Sequence, residues 1–96
     1  MKVKAITFSG TIRYWDPARG AGLSIVDIPA ERIADFGGLK QQRVAGTIGG
    51  AAFTSSVMPA GSGRLALSVS KAMMAAAGRV SIGEDVVVTV TDIGRD

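Results

Sequence analysis

The sequence predicts a mainly β domain: a small closed or nearly closed six-stranded barrel with two short helices, one of them between the last two strands. Three observations carry that reading. Six segments read as strands, five of them by the two-residue apolar period. Glycine punctuates them, at 13 of 96 residues. An open sheet of this size would leave two edges unprotected, and closure removes them. The alternative is a flat sheet with both helices on one face.

From Lys2 to Tyr14, the residues Ile6, Phe8, Ile12 and Tyr14 share one parity with Gly10, while Ser9, Thr11 and Arg13 take the other. This is a long half-buried strand, with a bulge or bend expected at Gly10. Pro17, Gly20 and Gly22 make Trp15 to Gly22 a loop, and Trp15 is expected to lid the core. Leu23 to Ile28 is apolar on both parities, which suits a strand covered on both faces. Pro29 stops it, and Ala30 to Phe36 follows as a short helix with Ile33 and Phe36 on one side, ended by Gly37 and Gly38.

The clearest hairpin comes next. Val44, Gly46 and Ile48 lead into Gly49-Gly50, followed by Ala51, Phe53, Ser55 and Val57, a register that pairs Ile48 with Ala51 and Gly46 with Phe53. Pro59 to Gly63 is expected to make the next turn, and Leu65, Leu67 and Val69 share a face in the strand that follows. Ser70 caps a two-turn helix stopped by Gly78, with Ala72, Met73, Ala76 and Ala77 on or near its buried stripe. Gly83 marks a turn before Val86, Val88 and Val90, and residues after Asp92 read as a frayed end. Residues 1–96 thus form one domain, with no repeat, linker or low-complexity tract.

Composition narrows the chemistry. The chain has no Cys, His or Asn, so disulfides, thiolate zinc sites and the familiar hydrolase triads are excluded. No cofactor or metal is expected. Without a charged-then-apolar leader or an apolar run of membrane-spanning length, the expected location is cytoplasmic, away from membranes. The net charge of +3 comes from basic residues scattered along the chain, which reads first as a solvated surface.

Three short motifs match known patterns but lack the structural context those patterns need. Gly61-Ser-Gly-Arg-Leu-Ala matches a loose dinucleotide fingerprint, but its glycines lead into a strand rather than a helix. Ser68-Val-Ser-Lys71 matches Ser-x-x-Lys, yet Ser68 still belongs to a strand and no partner motif exists. Glu84-Asp85 follows Gly83 in a turn that points adjacent side chains apart.

The order of Phe8, Ile12 and Tyr14-Trp15, then Ile25 to Pro29, Val44 to Gly50, Phe53 to Ser56, Leu67 to Lys71 and Gly83 to Val86 resembles a small, mostly bacterial barrel family. It is the domain-of-unknown-function family numbered nineteen hundred and five. The resemblance spans nearly the whole chain and implies a compact six-stranded barrel, double-split-barrel-like, that occurs alone or beside a bacteriocin-protection-type domain. It implies no known catalytic residues. The chain departs from the family pattern at Arg79, which intervenes between the helix-ending Gly78 and Val80. Leu65 to Val90 alone is also similar to the swapped-hairpin fold of DNA-binding transition-state regulators, a likeness of fold only.

The first functional expectation is a non-enzymatic binding or accessory module for a small ligand, a protein partner or a second copy of the chain. The runner-up is a nucleic-acid-binding barrel in which Arg13, Arg43 and Arg64, all outward by parity, converge on one surface. A third reading is an enzyme working with carboxylates and lysine, centred on Glu84 and Asp85.

Overall fold

Alternate apolar residues become the inner wall of a barrel. The computed structural model describes residues 2–15 and 23–94. In chain order they form β1 (Lys2–Tyr14), β2 (Ser24–Ile28), a 3-10 helix (Ala30–Phe36), β3 (Gln42–Ile48), β4 (Ala51–Gly61), β5 (Arg64–Val69), α1 (Lys71–Ala76) and β6 (Asp85–Gly94). The strands close in the order β1-β2-β5-β4-β3-β6, antiparallel throughout. The loop expected up to Gly22 falls on residues 16–22, outside the described residues.

Ile6, Phe8 and Ile12 of β1 meet Val26 and Ile28 of β2, Leu65, Leu67 and Val69 of β5, and Val86, Val88 and Val90 of β6 in one buried cluster, with Val44, Ile48, Phe53 and Val57 completing the wall. Two lids close this core. At the end where β2 passes to β3, Phe36 of the 3-10 helix is buried and meets Phe8 edge to face, with ring centroids 6.4 Å apart. The Gln42 amide donates to the Phe36 carbonyl and ties the helix to the start of β3. At the other end Met73 and Ala77 plug the barrel from α1 and the residue after it.

Closure depends on close backbone approaches. A Cβ on Gly46 would lie 1.9 Å from the Thr89 carbonyl oxygen, so β3 and β6 can come together there only without a side chain. The register slips by one residue at the same place, and Thr91 is the extra residue on β6. The hairpin register is as expected, Gly46 facing Phe53 and Ile48 facing Ala51. Gly49 and Gly50 take φ of 56° and 86°, the left-handed pair of a type I′ turn.

Several expectations are corrected. No bulge falls at Gly10, where the β1 register against β6 runs unbroken; the irregularity lies between Lys2 and Ile6. Gly10 instead lets β2 approach, since a Cβ there would lie 2.7 Å from a Val26 methyl. Pro59 is not in a turn: β4 continues to Gly61, and Ser62-Gly63 make the reversal into β5. The register shift between Pro59 and Gly61 accommodates a residue that has no N–H to donate. Strand β6 runs to Gly94, opposite Arg43, and Ile93 is buried, so residues 93 and 94, expected in a frayed end, belong to the strand, while the rest of that end lies outside the described residues. Trp15 stays 39% exposed rather than covering the core. On α1 the exposed Ala72 and Ala76 leave core filling to Met73 and Ala77.

Candidate functional site

The segment that joins β5 to β6 is built from local rules. Ser70 has extended backbone, and its hydroxyl accepts the Met73 N–H at 3.1 Å, which opens α1. Alanines and unbranched side chains, all good helix formers, carry the helix for six residues. It stops because Gly78 and then Arg79 enter the left-handed region, at φ of 97° and 62°. The Arg79 N–H donates to the Ala75 carbonyl at 3.2 Å and the Val80 N–H to the Met74 carbonyl at 3.2 Å, so the backbone on both sides of the bend is tied back to the helix. Beyond it, Gly83 at φ 95° donates to the Ile12 carbonyl at 2.8 Å, and Ile12 donates to the Glu84 carbonyl at 3.0 Å. The turn is thereby clasped to β1.

Between α1 and residues 79–82 lies an open groove of about 400 Å³, lined by Lys71, Met74, Ala75, Arg79, Val80, Ser81 and Ile82. Met74, Val80 and Ile82 are half-buried and packed against the core, which fixes the floor. Lys71 and Arg79 are exposed, and the lining includes no acidic side chain. Glu84, the nearest acid along the chain, accepts the Ser81 hydroxyl at 2.9 Å. Such a groove can hold an apolar body beside two cations.

Sequence reasoning did not find this groove. Its visible signals were Arg79, where the chain departs from the family pattern, and Met74, which directly follows the Met73 of the buried stripe.

Of the three arginines singled out from the sequence, Arg13 and Arg64 flank Asp27 of β2, and Arg43 lies apart from them. Arg13 donates through Nε and Nη2 to the two Asp27 oxygens at 2.6 and 2.9 Å, a two-pronged ion pair between β1 and β2. Those hydrogen bonds hold the Asp27 carboxyl below the usual carboxylate range against the opposing effect of partial burial, and the Arg64 charge adds to the lowering. Arg64 is exposed at the start of β5, so Arg13 and Arg64 lie on the strands either side of β2. Arg43 sits on β3, across the barrel from β2, opposite Ser56 and Gly94. The adjacent acids diverge as expected: Asp85 accepts the Thr11 hydroxyl at 2.5 Å, while Glu84 turns to Ser81. Among the described residues no group of three or more His, Cys, Asp or Glu side chains is arranged to hold a metal, and no helix is long and apolar enough to cross a membrane.

The model of one protein family, described as a domain of unknown function (DUF1905), matches residues 8–90. The chain belongs to this family. The span matched to DUF1905 takes in every residue that lines the groove, and it covers all six strands in whole or in part. No curated protein matches the chain.

Proposed function

We propose that this DUF1905 domain is a non-catalytic binding module whose small-molecule ligand lies in the groove beside α1. The observation that carries the reading is the groove itself: about 400 Å³ of open space with a largely apolar lining, set on a floor packed into the core. That volume falls within the ~300–1,000 Å³ typical of small-molecule sites. A lining of seven residues is far short of the roughly 20–30 residues a side in a stable protein interface. The dispersal of Glu84 and Asp85 onto separate hydroxyl partners favours binding over acid–base chemistry at the same place. We place the module in the cytoplasm, as the sequence reading does.

Titration with 1-octanol, followed by backbone amide NMR, tests the proposal. Shifts that saturate and concentrate on residues 71–82 are the expected result. Shifts spread evenly over the barrel, or none, would overturn it.

A further inference from the structure

Resting on that reading, we infer that the natural ligand is a compact amphiphile with one anionic head group, its apolar body on Met74, Val80 and Ile82 and its head between Lys71 and Arg79. Charge complementarity selects the sign. Of the seven lining residues two are cationic and none is acidic, and among the described residues neither cation is engaged by a side-chain partner. A guanidinium and an ammonium at the rim of an apolar floor offer several donors to one oxyanion. Glu84 is the countervailing charge: the Ser81 hydroxyl fixes one of its oxygens and leaves its charge in place, so two cations stand against one carboxylate outside the lining.

Backbone geometry fixes where the second cation stands. Arg79 holds φ 62°, a region that glycine enters freely and that strains a residue with a Cβ. The hydrogen bonds to Ala75 and Met74 hold the bend in place. Strain of this kind persists where the surrounding structure over-determines it, as those two hydrogen bonds do here. Glycine at this position would make the same turn without strain; arginine adds a cation at the groove.

Size selects a free small molecule over the carboxylate terminus of a protein chain, because a lining of seven residues has little area for a macromolecular surface.

The test compares octanoate, 1-octanol and octylamine on the intact chain by the same NMR titration. Octanoate should bind about tenfold more tightly than 1-octanol, a difference of one charge-assisted contact, and octylamine more weakly than both. The octanoate preference should fall as salt is raised. In the double variant Lys71→Glu/Arg79→Glu the order should invert. Arg79→Gly keeps the turn, so its melting midpoint should equal or exceed that of the parent while its octanoate preference falls several-fold. If 1-octanol binds residues 71–82 as tightly as octanoate does, or if Arg79→Gly keeps the full preference, the anionic class is wrong and the binding reading stands. If 1-octanol does not shift residues 71–82, the binding reading itself fails, whatever the two charged probes do.

Discussion

Gly83 shows how one backbone angle positions both the fold and the groove. At φ 95° with no heavy atom within 4 Å of a built Cβ, a side chain has room but the wrong backbone. Gly83→Val should cost about 1–3 kcal/mol through strain alone. Gly94 is the matched control: it lies in extended β6, where a Cβ would make only an ordinary contact with the Arg43 carbonyl at 3.9 Å. Urea melts followed by circular dichroism should show a lower midpoint for Gly83→Val and a near-parental one for Gly94→Val; equal midpoints would contradict the assignment of strain.

A second residue-scale prediction concerns Asp27. Its folded pKa is lowered, first by the hydrogen bonds from Arg13. A depressed carboxylate contributes stability that is fully present above its unfolded pKa of about 4 and is lost as pH falls through the lower folded value. The pair is roughly one-third exposed, at 32% and 37%, so solvent screening keeps the contribution small. The stability gap between the parent and Asp27→Asn should therefore be flat near neutrality and shrink below about pH 4. Thermal melts across that range would reveal it, and a gap that widened in acid would contradict the sign. Parity alone placed Arg13 outward, but its partner lies on another strand and was not visible in one dimension.

At the scale of elements, α1 is short enough to depend on its cap. The Ser70 hydroxyl satisfies the Met73 N–H, while the Ser70 N–H lies 3.5 Å from the Met73 sulfur. Ser70→Ala should lose about 1 kcal/mol, in the usual range for a lost N-cap, whereas Ser70→Asp should retain the cap. Urea midpoints for the two variants check this, and equal losses would argue against a capping role. The element sequence was legible because its signals are local: Ser70 before an Ala-rich run, Gly78 after it, and Gly49-Gly50 between alternating strands. Where expectation and structure part, a distant neighbour decides. Pro59 reads as a turn residue until β5 pairs beside it, and Ile93 reads as a tail until β3 places Val44 opposite.

For the whole molecule, barrel closure was legible and the groove was not. Closure follows from strand count and edge protection, properties of the chain as a set. The groove requires Lys71 and Met74 of α1 to face residues 79–82 across a bend whose shape depends on Arg79 being left-handed. The same strand order bears on the nucleic-acid reading. With Arg13 committed to Asp27 and Arg43 on the strand opposite β2, the three arginines do not make one basic face. Weak duplex DNA binding is the expected outcome, measured by fluorescence anisotropy at low and moderate salt; tight binding that fell steeply with salt would revive that reading.

Strand β1 pairs with β6 in an antiparallel ladder that sets Lys2 against Asp92 and Thr11 against Asp85. The two extremities of the described fold therefore emerge side by side, on adjacent strands at one end of the barrel. Tension applied between them loads one rung of that ladder at a time, so the seam peels open like a zipper instead of resisting in shear. A domain tethered at both ends would open first at the β1–β6 seam and yield at low force. The same proximity lets a short added segment join the two ends, and new ends cut at Ser62-Gly63 would leave that seam covalently closed.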